Sequence, residues 1–196
     1  MSPRYHDGAR GQVRVFAWSG TWGQRGLDID GVGHNDYGYR IALDDAGDTI
    51  VVGAKGDDGP DDGRENAGGW RVFDWDGTAW VQRGETGYGD DAGDVAGCVA
   101  INGDGTVVAV GAVGNDGDAA DAGGVKVFQW IPGAPGRWAQ VGDEILGDSQ
   151  HEDLFGAYLD LNGDGTRLVA TAPWADGGDT GDTGRGEAFV YELAPL

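Results

Sequence analysis

Short runs of apolar residues recur along the chain and predict β-strands that are covered on both faces. In VRVFAW (13–18) and VKVFQW (125–130), the valines fall on one parity and Phe and Trp fall on the other. TIVVGA (49–54), VVAVGA (107–112) and RLVATA (167–172) are runs of small and β-branched residues without a polar face. Such strands require sheets stacked on sheets. No segment has a sustained 3.6-residue apolar period with caps, so the pattern predicts essentially no helix.

The same segments repeat at a period of roughly 55 to 63 residues, which is typical of repeat architectures. Segments 11–26, 68–84 and 123–142 are versions of one unit, and 186–193 opens a fourth. Segments 37–54, 95–112 and 155–172 align with one another in the same way. The NGDG motifs at 102–105 and 162–165 contain residues that tolerate positive φ, as a tight hairpin between the first two strands of a unit requires. Each period therefore predicts four strands.

Four-stranded units at this spacing predict a β-propeller-like array of antiparallel blades, about three of them in one repeat domain over 1–196. The units are a partial blade at 11–26, blades at 37–84 and 95–142, and a partial blade at 155–193. Closed propellers have about 4 to 8 blades. Three explanations fit the shortfall: the chain is a fragment of a longer protein, copies associate to complete a ring, or the blades form an open array.

The charge is strongly negative, with 34 acidic against 13 basic residues and a formal net charge of −21. Such a chain repels phosphate backbones and anionic lipids, so we expect no nucleic-acid partner. No apolar window is long enough to cross a bilayer and the first residues have no signal-peptide pattern, so we expect no membrane insertion. Cys98 is the only cysteine, which excludes an internal disulfide; we interpret it as a small buried hydrophobe.

The motif FGAYLDLNGDGTRLVATAP (155–173) resembles the FG-GAP repeat of integrin alpha-chain propellers. The broader unit, with W-x-Q-x-G, DGT, VGA and G-x-V-x-V-F, is similar to tandem repeats of large secreted or surface proteins of bacteria and marine algae. This resemblance implies a propeller fold and an extracellular or cell-surface location. The Phe-Gly pair is intact only at Phe155 and Gly156, because Tyr37–Gly38 and Val95–Ala96 replace it elsewhere.

The resemblance also implies calcium as a possible cofactor, because the family binds Ca²⁺ through an Asp-x-Asp/Asn-x-Asp-Gly loop followed by a further carboxylate. Six to eight hard oxygens from a short curved segment suit this ion. Asp160, Asn162 and Asp164 match the first half of that loop. Weaker candidates are Asn102 and Asp104 in the second repeat, and a shifted variant at Asp44, Asp45 and Asp48. The alternative is a hairpin turn that uses Asn, Asp and Gly for their backbone conformation.

Acid-rich loops follow the second strand of each unit and are expected to lie on one rim of the array. There they are either solvated loops that bind cations weakly or an ordered calcium site. Their acids are Asp57, Asp58, Asp61 and Asp62; Asp116, Asp118 and Asp121; and Asp176, Asp179 and Asp182. Among them, Asp116, Asp118 and Asp121 are retained as weaker metal-ligand candidates.

The chain has little that points to nucleophilic catalysis, since its three histidines lie in polar loops without a recognisable Ser or Cys elbow. Trp22, Trp80 and Trp138 recur strictly, which favours packing between blades over stacking on sugars. We therefore predict a non-catalytic recognition or adhesion module, not an enzyme, with a protein or glycan ligand at the loop rim. The alternatives are a glycan-binding lectin or glycan-active enzyme, and a purely structural spacer.

Overall fold

The computed structural model describes residues 10–32, 37–59, 63–117, 121–147, 153–175 and 184–193, and these contain strands, turns and loops but no helix. The prediction of an all-β fold of antiparallel sheets is confirmed over this part of the chain. None of the described residues belongs to a helix that could span a membrane.

The strands of the described residues form five sheets, and we treat the two two-stranded ones as a single unit, called sheet 1. Sheet 1 consists of β1 (Gln12–Val13) paired with β4 (Ile29–Asp30) and β2 (Phe16–Trp18) paired with β3 (Trp22–Gln24). Sheet 2 has the order β5 (Tyr37–Leu43), β6 (Thr49–Ala54), β7 (Gly69–Trp75) and β8 (Trp80–Tyr88). Sheet 3 contains β9 (Ala96–Ile101), β10 (Val107–Ala112), β11 (Gly124–Ile131) and β12 (Arg137–Gln140), with β13 (Ile145–Leu146) also on β11. Sheet 4 contains β14 (Leu159–Leu161), β15 (Arg167–Ala172) and β16 (Glu187–Glu192).

Asx-type turns close the hairpins between the first and second strands of sheets 3 and 4. In sheet 3 the Asn102 side chain, which is fully buried, accepts hydrogen bonds from the backbone N–H groups of Thr106 (2.9 Å) and Val107 (2.8 Å). Gly105 completes this turn with φ of +71°, a conformation that side chains disfavour. The carboxamide thereby satisfies backbone donors that the end of a strand leaves unpaired.

The sheets pack face to face, and each junction has its own apolar core. Sheet 2 packs on sheet 3 through Val51, Val72, Val99 and Val108, among others. The second strands carry the most buried positions: all six residues of β6 and of β10 are buried. This explains why their sequences lack a polar face, since both sides of these strands contact another sheet.

Glycine lets the sheets approach closely at equivalent places in two junctions. A Cβ on Gly53 would lie 2.0 Å from the backbone oxygen of Gly97, and a Cβ on Gly111 would lie 2.2 Å from that of Gly156. Real Cβ atoms essentially never come within 3.0 Å of another atom. The spacing between sheets therefore depends on the absence of a side chain at these positions.

The recurring tryptophans bind one sheet to the next where a preceding sheet exists. The indole Nε1 of Trp80 donates to the carbonyl oxygen of Arg25 (2.9 Å), and that of Trp138 donates to Arg83 (3.1 Å). Trp22 occupies the equivalent position in sheet 1 but is exposed. The packing role predicted for these residues thus holds for Trp80 and Trp138 and not for Trp22.

Candidate binding site on the first strands

One repeat position carries a different chemical group in each unit: Arg40, Cys98 and Tyr158 each stand three residues after the start of the aligned first-strand segments. The first strands β5, β9 and β14 lie side by side, so these three side chains converge. The Arg40 guanidinium carbon lies 4.6 Å from the centre of the Tyr158 ring, although the two residues are 118 positions apart in the sequence, about two repeat periods.

Two further residues extend this group. The guanidinium carbon of Arg40 is 5.3 Å from the ring centre of Tyr39, and Lys55 Nζ is 4.4 Å from the same ring. These distances are within the range of cation–π attraction. We call the set Tyr39, Arg40, Lys55, Cys98 and Tyr158 the inner-strand cluster. Both tyrosine side chains are about half exposed, so a solute can reach the cluster.

The electrostatics of the cluster favour an anion. Partial burial by itself lowers the pKa of Arg40, but a hydrogen bond with Tyr158 and the proximity of Cys98 outweigh it, and the pKa is raised overall. Arg40 is therefore permanently charged. Burial raises the pKa of the Cys98 thiol, opposed by Arg40 and Lys55. The thiol is thus held neutral and does not cancel the positive charge of Arg40.

Arg40 is one of the described arginines whose partners are not carboxylates; Arg64, which donates to the carbonyl oxygens of Gly89 and Asp90, is another. None of the contacts of Arg40 in the described chain is a carboxylate, whereas ion pairs are common elsewhere. These pairs are Arg14–Asp28, Arg25–Asp48, Arg71–Asp57, Arg83–Asp74, Lys126–Asp90 and Arg167–Glu192. A guanidinium that faces aromatic rings keeps donors for an external anion.

The residues of the strongest calcium candidate are engaged in closing a turn. Asp164 Oδ1 accepts hydrogen bonds from the Thr166 hydroxyl (2.6 Å), the Thr166 N–H (3.0 Å) and the Asn162 amide (2.7 Å). Asp160 accepts from the N–H of Leu161 (3.0 Å). Mainly the Thr166 hydroxyl holds the pKa of Asp164 below its usual range.

The weaker candidates show the same kind of local bonding. Asp104 accepts from the Thr106 hydroxyl (2.5 Å) and the Asn102 amide (2.8 Å), and Asp116 accepts from the N–H of Asp121 (2.9 Å). Asp118 lies outside the described residues, as do Asp61, Asp62, Asp176, Asp179 and Asp182. Within the described ranges, no group of three or more His, Cys, Asp or Glu side chains is placed to hold a metal ion. Calcium binding stays a prediction.

A second group of charges lies between sheets 2 and 3, where Lys126 pairs with Asp90 and lies 3.8 Å from Glu144 Oε2. Burial raises the pKa of Glu144, and Lys126 opposes that rise. The preceding repeat has a basic residue at the equivalent position, where Arg71 Nη2 is 3.4 Å from Asp57. The acidic partner comes from a different loop in each unit, because Asp57 follows β6 and Asp90 follows β8.

The inner-strand cluster was missed by reasoning from the sequence, which searched for acids and for catalytic triads. The signal was present in the repeat alignment: at most positions the three units carry similar residues, whereas this position carries Arg, Cys and Tyr. Only the side-by-side packing of the first strands shows that the three side chains meet.

Of the comparisons with known proteins, the one with solved structures finds similar proteins. No family model matches the chain, and no curated protein matches it. Among solved structures, the fold is similar to that of a candidate 6-phosphogluconolactonase from Bacteroides uniformis, with a TM-score of 0.56 and 14% sequence identity over 95% of this chain. The chain spans 50% of the length of that protein. At this identity the likeness shows a shared fold, and the resemblance to FG-GAP repeats stays a prediction.

This comparison corrects the functional prediction made from the sequence. A non-catalytic adhesion or recognition module was expected because the repeats resemble those of adhesion proteins. That prediction, and with it the prediction that the protein is not an enzyme, is wrong on this comparison, because the fold is shared with a protein whose name is that of an enzyme. Resemblance of repeats identifies an architecture, whereas catalysis depends on individual side chains mounted on it.

Proposed function

We propose that this protein is an enzyme acting on a small anionic carbohydrate derivative, a sugar acid or its lactone, which it binds at the inner-strand cluster. The observation that carries this proposal is the contact of Arg40 with two half-exposed tyrosines, one of which Lys55 also contacts, in a chain whose net charge is −21. Of the functions that the sequence left open, a carbohydrate-active enzyme agrees with the name of the structural neighbour.

Each member of the cluster suits one part of such a substrate. The guanidinium of Arg40 can bind a carboxylate or phosphate through two parallel hydrogen bonds, and Lys55 adds a second positive charge. The rings of Tyr39 and Tyr158 offer apolar faces for a sugar ring and hydroxyls for its polar edge. Basic groups close to a lactone carbonyl would also stabilise the negative charge that develops on its oxygen when water attacks.

Lactone hydrolysis tests this proposal directly. The wild-type protein is mixed with 6-phosphogluconolactone, and acid release is followed with a pH indicator against the spontaneous rate. We expect hydrolysis above that rate, and kcat/KM lower by about 10- to 150-fold in Arg40→Gln, the range for loss of a hydrogen bond to a charged group. Arg14→Gln is the matched control, because Arg14 lies on sheet 1 in an exposed pair with Asp28.

Two results would contradict the proposal. One is a wild-type rate equal to the spontaneous rate with both the phosphorylated lactone and the unphosphorylated gluconolactone. The other is enzymatic hydrolysis that falls equally in Arg40→Gln and Arg14→Gln, since the effect would then come from net charge and not from the cluster.

A further inference from the structure

The last sheet exposes valines at positions that are buried in the two sheets before it. Val190 on β16 is 67% exposed, whereas its repeat equivalents Val127 and Val72 are 3% and 0% exposed. Val169 on β15 is 39% exposed, and its equivalent Val51 is fully buried. We call Val169 and Val190 the tail face. The repeat keeps an apolar residue at these positions even where none of the described residues covers it.

A matching surface lies on β5, the first strand of sheet 2. Ile41 and Leu43 on β5 are 54% and 49% exposed, whereas their equivalents Val99 and Ile101 on β9 are 7% and 6% exposed. We call Ile41 and Leu43 the head face. At the junction between sheets 2 and 3, the residues equivalent to the tail face pack in one core with the residues equivalent to the head face. The two end faces are therefore complementary by the same geometry that joins the inner sheets.

A second pair of features is also left unmatched at the two ends. Gly26, shortly after β3, and Gly84, within β8, each lie against a pair of indole rings from the next sheet, at 2.7 to 3.4 Å from where a Cβ would stand. Gly142 is their equivalent in sheet 3 and has nothing within 4 Å. Conversely, the ring pair of Trp18 and Trp22, with centroids 5.4 Å apart, is exposed on sheet 1.

We propose that two copies of this chain associate head to tail at two junctions and so close a ring. At each junction the tail face of one copy covers the head face of the other, and Trp22 lies against Gly142 of the copy that supplies the tail. A second copy is the occupant that the comparison supports, because the structural neighbour of the same fold has about twice the length of this chain. Closure through two identical junctions leaves no end face exposed.

At each junction, one segment from each copy corresponds to the same strand position in the sheet. By the repeat alignment, residues 187–192 of one copy are equivalent to residues 12–17 of the other. β16 pairs with β15 along six residues, whereas β1 and β2 pair along only two and three. Because a longer ladder is harder to displace, β16 keeps the position and residues 12–17 move aside. Leu193, the equivalent of Trp18, is also bound to sheet 4, because its N–H donates to the carbonyl oxygen of Thr166 (2.8 Å), so Trp18 moves aside as well and Trp22 is retained.

The oligomeric state of four proteins tests this inference by sedimentation equilibrium. Wild type is expected at twice 20.3 kDa. A tail variant (Val169→Glu with Val190→Glu) and a head variant (Ile41→Glu with Leu43→Glu) are each expected to be monomeric. Burying an unpaired carboxylate should weaken association about a hundredfold or more. Val81→Glu, an exposed position on β8 outside both faces, is the control and should remain dimeric.

Mixing the tail variant with the head variant is the decisive step. The mixture restores one junction between two unmodified faces, so we expect a heterodimer although neither variant dimerises alone. Any variant that loses the far-ultraviolet circular dichroism of the wild type is replaced by the corresponding serine variant. A monomeric wild type overturns the inference, as do a head variant that stays dimeric and a mixture of folded variants that stays monomeric.

Discussion

The close approach of sheets 2 and 3 makes the substitution Gly53→Ala a stringent test of the stacked arrangement. The new Cβ would stand 2.0 Å from the backbone oxygen of Gly97, about 1 Å inside the shortest contact that real Cβ atoms make. Because the obstructing atom belongs to a buried strand, the sheets have to separate locally by about that distance. A gap of 0.5 to 1 Å removes roughly a quarter to a half of the dispersion attraction between the atoms concerned.

The separation affects the core that surrounds Val51 and Val99 and resembles an overpacked core, which costs about 1 to 3 kcal/mol. We expect the upper end of this range, about 3 kcal/mol, because backbone cannot move aside as a flexible side chain does. A protein of this size then melts roughly 6 to 12 °C lower. Unfolding in urea, followed by tryptophan fluorescence, should show a lower midpoint with an unchanged slope.

Gly23→Ala is the matched control, since Gly23 also lies in a strand but has nothing within 4 Å of its potential Cβ. We expect its free energy of unfolding to stay within about 0.5 kcal/mol of the wild type. If Gly53→Ala unfolds at the same urea concentration as Gly23→Ala, the sheets do not meet as described and the reasoning fails.

Three further predictions follow from the described contacts. Trp138→Phe should lower the free energy of unfolding by about 1 kcal/mol, because the indole hydrogen bond between sheets is lost. Trp22→Phe should change it little in a monomeric background such as the head variant, because Trp22 is exposed. Thermal unfolding of both variants would check this. The pKa values of Asp104 and Asp164 are lowered, mainly by threonine hydroxyls, so their contribution to stability is present above the unfolded value of 3.8 and is lost as the pH falls through the folded values. An Asp104→Asn/Asp164→Asn protein should therefore lose less stability than the wild type between roughly pH 5 and pH 2. Equal losses would refute the role given to these two carboxylates. If Ca²⁺ binds at Asp160 and Asp164, millimolar calcium should raise the melting temperature of the wild type and leave Asp160→Asn/Asp164→Asn unaffected, and no rise in the wild type would remove calcium from the account.

The local structure of this protein follows closely from its sequence. The runs 49–54, 107–112 and 167–172 are strands with those same bounds, because consecutive small and β-branched residues favour a strand. The first two are covered on both faces as predicted, whereas 167–172 is exposed on one face. Asn102 and Gly105 close a hairpin because one supplies a carboxamide for the backbone and the other tolerates positive φ. The repeat alignment extends these local inferences from one unit to the next.

The candidate binding site was not predictable in this way. Nothing near Arg40 in the sequence indicates that Tyr158 contacts it, because that contact depends on three first strands lying side by side. The acids of 160–164 illustrate the reverse case: their spacing suggested metal ligands, and the structure shows their oxygens accepting hydrogen bonds from the turn itself. A short motif fixes which groups are available but not which partner each group finds.

By itself, the sequence determined that this is an all-β repeat protein with strongly negative charge, since strand and turn preferences and net charge are local or additive properties. Only the tertiary structure decided which of the positions that correspond in the repeat alignment also have the same surroundings. Val72 and Val190 have the same place in the repeat, yet one is buried and the other is two-thirds exposed, because only the first has a sheet on both sides. Burial and convergence depend on neighbours distant in the chain, and no periodicity within a single strand encodes them.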